Sequence, residues 1–267
     1  MFDKTTITAD TLNGYMASLP EKTFSGISPS SLGGCMRAHF YNLKGVKQTT
    51  GPKYAELVNF QIGHLWEAFI ARAYKQQGTL VKWFQDGLDK PWRIDELNLV
   101  GTPDLIIKDA DGEEIIVDSK TMKSGWFQYS KNYKRFDDFV ADNKAYIYQQ
   151  VCYILLARAN GYPKMRKAVL SFASKDDGYV GNEILILNTT ELTKMVTDRI
   201  KELNGYLERD EVPPCECEGW KIGYCNFGNP HTRKLNAKKK EVNTECCGLT
   251  LYSSLKSDDN NLKTEEV

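Results

Sequence analysis

Asp104 and Asp118 each close a hydrophobic run, and Lys120 follows two residues behind the second. The first run passes from Leu97-Asn98-Leu99-Val100 through Gly101-Thr102-Pro103-Asp104 into Leu105-Ile106-Ile107, and it reads as one strand bent at Gly101 and Pro103. The second, Glu114-Ile115-Ile116-Val117, is a β-branched strand entered through the turn Asp109-Ala110-Asp111-Gly112. Paired as a hairpin, the strands lie about 5 Å apart, which brings both carboxylates within reach of one cation. Hard carboxylate oxygens suit Mg²⁺ or Mn²⁺, ions that keep water and substrate phosphate in the rest of their shell. Lys120 shares a strand face with Asp118, so its ammonium can orient an attacking water or offset charge on a phosphate. The set is suited to metal-assisted hydrolysis of a phosphodiester.

The elements that must position these groups form an α/β pattern. Helices are expected over 7–19, from the Ser28-Pro29 start through Cys35 to residue 43, and over 54–77. On the third of these, Leu57, Ile62, Leu65, Phe69 and Ala73 mark the apolar side. Strand signals run from 80 to 120, and a second long helix over 138–160 ends at Gly161 and Pro163. Strands at 169–173 and 184–187 and a helix over 191–207 complete the series. No internal repeat is visible, and the polar tail from 253 to 267 lacks the apolar residues needed for a core.

Two further constellations sit on the expected helices. His64, in Gln61-Ile62-Gly63-His64-Leu65-Trp66-Glu67, can project from its helix onto the metal, although a lone helix histidine is more often a surface or core residue. Gln149 and Tyr153 are four apart on the later helix and share a face. Alone that spacing usually means packing; beside two acidic strand ends it can hold a DNA phosphate and an adjoining base.

The 267 residues are 41% hydrophobic, enough for one substantial core, and Lys plus Arg equals Asp plus Glu at 35 each. Global charge therefore does not announce nucleic acid, but a local basic groove can supply the field. No apolar run is long enough to span a bilayer and no signal-peptide pattern opens the chain, so the expectation is a cytoplasmic protein. Seven cysteines are many for a reduced compartment, and a disulfide scaffold is not expected there. Cys152 lies in an apolar helix and reads as a small core hydrophobe. Cys35 stands early, while Cys215, Cys217, Cys225, Cys246 and Cys247 crowd the carboxyl region, and metal or cluster ligation is the reading for part of this set.

The ordered series His64, Gly101 to Asp104, Asp118 to Lys120 and Gln149 to Tyr153 resembles the PD-(D/E)XK nuclease superfamily, and within it the RecB-type branch of CRISPR-associated and phage exonucleases. The resemblance covers residues 28–227. It implies a restriction-endonuclease-like core, a central mixed β-sheet flanked by helices. It also implies a bacterial or phage-infected cell, DNA as partner, single-stranded or with a free end, and association with recombination, repair or phage replication proteins. Asp104, Asp118 and Lys120 would be catalytic, His64, Asp104, Asp118 and the Ser119 carbonyl would hold the metal, and Gln149 and Tyr153 would hold DNA. Some members of the branch carry an iron-sulfur cluster on one early and three late cysteines. The stretch Ser28 to Cys35 resembles the early element and Tyr224-Cys225-Asn226-Phe227 the late one.

Two departures from the family stand out. The acid of the third motif is Asp118, where Glu is commoner in this branch. The late pair with two intervening residues is missing, since Ile222 stands three before Cys225, and the chain offers Cys215-Glu216-Cys217 instead. Cys35, Cys215, Cys217 and Cys225 can hold [4Fe-4S], with Cys246 or Cys247 replacing one of them, or zinc.

These readings divide the chain into an N-terminal helical segment with the first cysteine over 1–50, a nuclease core over 51–210, a cysteine-rich basic region over 211–250 and a disordered tail over 251–267. His231-Thr232-Arg233-Lys234 and Lys238-Lys239-Lys240 are either a solvated basic face or a grip on nucleic-acid backbone. The expectation is a DNA exonuclease; the other reading is a catalytically silent nucleic-acid-binding or interaction protein with the same fold.

Overall fold

The computed structural model describes residues 7–18, 25–49, 54–85, 89–123, 143–178, 180–217 and 225–227. In chain order the elements are α1 (Ile7–Ser18), α2 (Pro29–Leu32), α3 (Met36–Leu43), α4 (Tyr54–Gln76), β1 (Leu80–Trp83), β2 (Trp92–Ile94), a 3-10 turn (Asp95–Leu97), β3 (Leu99–Gly101), β4 (Leu105–Lys108), β5 (Glu114–Met122), α5 (Lys144–Ala159), β6 (Lys167–Ser174), β7 (Val180–Leu187) and α6 (Thr190–Glu208). Among them no helix is long and apolar enough to cross a membrane.

The expected central mixed sheet is present, with strand order β1-β4-β5-β6-β7. β5 and β6 are parallel and the other neighbours antiparallel. A parallel pair cannot be joined by a tight turn, and α5 lies in the long connection that returns the chain from β5 to β6.

The β4–β5 hairpin forms as its sequence requires. Asp109 Oδ1 accepts the Asp111 and Glu113 amides at 3.0 and 2.9 Å, and Gly112 takes the left-handed conformation at φ 78°, where a Cβ would be strained. The register pairs Leu105 with Val117, so Asp104 and Asp118 stand at adjoining positions past the same end of the ladder.

Strand alternation sorts the sheet's side chains between two layers. Ile106, Ile116, Ala168, Leu170 and Phe172 face the main core with Ile147, Val151 and Ile154 of α5 and Val196, Ile200 and Leu203 of α6. Leu105, Ile107, Ile115 and Val117 face the other way, onto Ile70, Ala71 and Tyr74 of α4. Asp118 pairs with Leu170 in register, which puts Asp118 and Lys120 on the α5 side and Ser119 on the α4 side.

Three local expectations change. The single bent strand over 97–107 is two strands in two sheets: β3 pairs with β2, whereas β4 joins the central sheet. The cause is the Gly101-Thr102-Pro103 corner, where a Cβ on Gly101 would lie 2.7 Å from the Pro29 ring. The helix expected to run through Cys35 breaks into α2 and α3, with Cys35 as the N-cap of α3. Gly33 at that break packs so closely on α5 that a Cβ would sit 2.2 Å from the Ala145 Cα. Finally, the apolar side assigned to α4 is not its packing side, since Leu65 and Phe69 are 72% and 59% exposed while Ala71 is 1% exposed. The remaining helices and strands form within a few residues of their expected bounds, the long helix being described from Lys144. Residues 138–142, Cys246, Cys247, the basic run and the tail lie outside the described residues.

This layering predicts a sharp contrast between two truncations. Ile116→Ala, at a fully buried position on the α5 face, should cost about 2–5 kcal/mol in urea unfolding. Leu65→Ala should stay within about 0.5 kcal/mol of the parent, the opposite ranking being what the sequence pattern alone would give.

Candidate active site and cysteine centre

Asp118 occupies the last fully buried stretch of β5, and its side chain has 0% exposure. Its Oδ1 has no hydrogen-bond partner among the described residues. Lys120 Nζ lies 2.7 Å from Oδ2, an ion pair at charge-assisted hydrogen-bond distance. Asp104 is held by its neighbour strand, Oδ2 accepting the Ser119 amide at 2.9 Å, while the buried Ser119 hydroxyl has no partner. Burial, and then the charge of Asp118, push the Asp104 carboxyl well above the usual carboxylate range.

Lys120 is fixed as a cation. Burial alone would lower its pKa, but the charges of Asp118 and Asp104 outweigh that and raise it above the ordinary lysine value. Its ammonium also sits 5.9 Å from the centre of the Tyr146 ring, within cation–π range. One ammonium answers one carboxylate, and burial beside Asp118 drives Asp104 toward its protonated form. A further cation would take the place of that proton and let both carboxylates ionise.

Helix α4 adds a carboxylate that the sequence reading passed over. Glu67 is 23% exposed and its Oε2 meets His64 Nδ1 at 3.4 Å. Burial raises its pKa; the charge of His64 and contact with it act in the opposite sense, and the charges of Lys120 and Asp118 also reach it. The signal in the sequence was the i, i+3 spacing from His64, which places both on one helix face. His64 itself is half-exposed. It does not join Asp104 and Asp118 in a set of three donors lying within 4.8 Å of one another; among the described residues only cysteines do so.

Gln149 and Tyr153 do come together on α5, the Gln149 Nε2 donating to the Tyr153 hydroxyl at 3.0 Å. Both are buried, so they form part of the pocket wall and not an open surface. Burial, followed by the charges of Asp118 and Asp104, drives the Tyr153 phenol well above its usual pKa and keeps it neutral.

On the opposite side of the α5 layer, Cys35, Cys215 and Cys217 bring their sulfurs within 4.8 Å of one another. The Glu216 amide points at Cys35 Sγ and the Cys217 amide at Cys215 Sγ, each at 3.5 Å. The Cys215 sulfur is the main influence raising the Cys35 thiol pKa. Cys225 is not in that set of three, but it lines a cavity of about 210 Å³ together with Cys35 and Cys217. The loop that carries Cys225 is pinned through Asn226, whose carbonyl accepts the Thr49 amide at 2.9 Å and the Thr49 hydroxyl at 2.8 Å. A single tetrahedral ion with Zn–S near 2.3 Å spaces its sulfurs by about 3.8 Å, which the three close sulfurs accommodate. Cys152 lies fully buried in the core, its thiol pushed up by burial, as its sequence context requires.

No family model matches the sequence, and no curated protein matches it. Among solved structures, the fold is similar to the crystal structure of SSO0001, at 15% identity over 88% of this chain and 98% of that chain, with a TM-score of 0.48. It is similar to an alkaline exonuclease, LHK-Exo, from Laribacter hongkongensis at 12% identity, 74% and 93% coverage and a TM-score of 0.47. A structure of LHK-Exo in complex with dAMP gives 14% identity, 70% and 90% coverage and a TM-score of 0.44.

The segment leading into the cysteine centre carries its own pH dependence. His39 is 2% exposed, its Nε2 accepts the Ser28 amide at 3.2 Å, and burial, then Arg199, lower its pKa from 6.5 to about 4. The unfolded chain therefore binds this proton more readily between those values, and stability rises with pH across the window. His39→Gln, which keeps an acceptor for Ser28, should remove about 2 kcal/mol of that rise, read from urea unfolding at pH 4.5 and 7.

Proposed function

We propose that the protein is a divalent-metal-dependent deoxyribonuclease that hydrolyses phosphodiester bonds at DNA ends. The observation that carries this reading is Asp118, a fully buried carboxylate whose Oδ1 has no hydrogen-bond partner among the described residues, set beside Asp104 and paired through Oδ2 with Lys120. A binding module gains nothing from such an arrangement, whereas a hydrolase needs it to place a cation against phosphate. The ordered series of motifs supports the same reading and supplies the preference for ends.

Asp104 and Asp118 would hold Mg²⁺ or Mn²⁺, which when bound neutralises phosphate charge and lowers the pKa of water. Glu67 with His64 stands on α4 at the edge of the same pocket as the further donor pair, and the Ser119 carbonyl as another. Lys120, held as an ammonium, orients the attacking water and offsets charge on the phosphate; its raised pKa argues for this role over that of a base. The Gln149–Tyr153 bond fixes the pocket wall facing the carboxylates, and the DNA strand, single or with a free end, would lie across that wall.

Cys35, Cys215, Cys217 and Cys225 would hold a structural metal group. A close triad with Cys225 on the adjoining cavity supports [4Fe-4S], and the close spacing of three sulfurs supports zinc. Either would tie α3 to the chain after α6.

Asp104→Ala, Asp118→Ala and Lys120→Ala should each lower cleavage of end-labelled DNA by about 10²-fold or more, and EDTA should abolish it. Linear DNA should be degraded and covalently closed circles spared. Full activity in Asp118→Ala, purified away from contaminating nuclease, would overturn the assignment.

Metal analysis of anaerobically purified protein separates the two cysteine readings. Brown protein with about four irons per chain identifies the cluster, and colourless protein with one zinc the tetrahedral site. In either case Cys35→Ser should lose the metal and Cys152→Ser should keep it.

A further inference from the structure

The three clustered cysteines come from segments about 180 residues apart, and a single guanidinium joins those segments. Arg199, on α6, donates from Nε to the Leu32 carbonyl and from Nη2 to the Gly34 carbonyl, both at 2.7 Å. These two acceptors belong to the end of α2 and the glycine link just before Cys35. The same guanidinium grips Glu216 with two parallel bonds, Nη1 to Oε1 at 2.9 Å and Nη2 to Oε2 at 2.7 Å. That fork uses the planar geometry only arginine offers.

Glu216 has a second task. Cys35 is the N-cap of α3 but makes no side-chain cap bond, which leaves the first amides of the helix in need of acceptors. Glu216 Oε2 takes the Met36 amide at 2.7 Å. A carboxylate from the far end of the chain thus caps the helix at the residue next to Cys35, and the thiol is left to face the other sulfurs.

We propose that the Arg199–Glu216 pair is the positioning element of the cysteine centre: it presents Cys35 to Cys215 and Cys217 in the metal-free protein and so lowers the ordering cost of metal binding. This rests on reading the cysteines as a ligand set, but the positioning itself can be tested without any metal. Neither residue donates to a metal; both act through the chain segments that carry the thiols.

The test uses the full chain carrying Arg199→Lys, which keeps the charge and loses the fork, or Glu216→Gln, which keeps the shape and loses the charge. In chelator-stripped, reduced protein, diamide should link Cys35 to Cys215 or Cys217, mapped by peptide mass, about 10-fold faster in the parent than in either variant. Zn²⁺ added alone should bind about 10–100-fold more weakly to both variants. Helix content by circular dichroism and the slow alkylation of buried Cys152 should not change, which separates positioning from a general loss of structure. Cross-linking rates equal to the parent in both variants, or unchanged Zn²⁺ affinity in both, would overturn the proposal. If the parent binds neither Zn²⁺ nor iron but its cross-linking still depends on the pair, the positioning stands and only the ligand reading fails. Should the Arg199 substitution unfold the chain, Glu216→Gln, on a partly exposed residue, decides alone.

Discussion

Asp118 sits out of water between two strands, its Oδ1 without a hydrogen-bond partner among the described residues, its Oδ2 paired with Lys120, and a second carboxylate on the adjoining strand end. A charge in that position repels its neighbour and would relax toward solvent if the backbone allowed it. The backbone does not. β5 is paired with β4 in antiparallel register as far as Val117 and with β6 in parallel register through Met122, and beyond Val117 the Ser119 amide is held by Asp104. The positions on either side of Asp118 are fixed by the alternation that buries Ile116 and Val117 in opposite layers. The sheet is thus a rigid support for an electrostatically unfavourable site, and the two apolar layers supply the stabilisation that lets it persist.

That division of labour explains why the functional residues come from so many elements. β4 and β5 bring the carboxylates and Lys120, α5 brings the Gln149–Tyr153 wall and the Tyr146 ring, and α4 brings Glu67 and His64. Each element already has a packing role, and each contributes to the pocket with the residues left over at one end of that packing. The parallel β5–β6 pair is what obliges the chain to make the long return through α5. Without that return there would be no helix across the face on which Asp118 and Lys120 lie.

What could be read from the sequence were the features determined by nearest neighbours. The β4–β5 hairpin was legible because β-branched runs flank an Asp-containing turn that needs Gly112 at positive φ, and the convergence of cysteines was legible because their types and clustering have few other uses. What was hidden depends on distant chain. The apolar spacing of Leu65 and Phe69 on α4 suggested a buried stripe, but the sheet meets that helix through Ile70, Ala71 and Tyr74, and nothing in a helical period identifies which of two apolar faces the sheet will take. The break at Cys35 follows from the approach of Gly33 to Ala145, more than a hundred residues on. Glu67 was passed over for the same reason, since its value depends on carboxylates carried by another element.

The cysteine centre and the carboxylate pocket share one structural logic, in that each places polar groups where local chain geometry cannot satisfy them. In the pocket Lys120 answers one carboxylate, and the other is held toward its protonated form unless a further cation joins it. At the cysteine centre the deficit is order, because Cys35 must give up capping α3 if its thiol is to face Cys215 and Cys217. Arg199 and Glu216 meet that deficit with protein groups alone, satisfying the Leu32 and Gly34 carbonyls and the Met36 amide in one network. The main core continues from this network through α5 to the sheet, Tyr148 lying 6.0 Å from the Arg199 guanidinium and its helix neighbours packing on β6. A change in how the cysteine segments are tied would therefore act on α5, the helix that also carries Gln149 and Tyr153. The tie to the cysteine segments and the Gln149–Tyr153 wall thus share one stretch of α5, Tyr148 and Gln149 being adjacent residues.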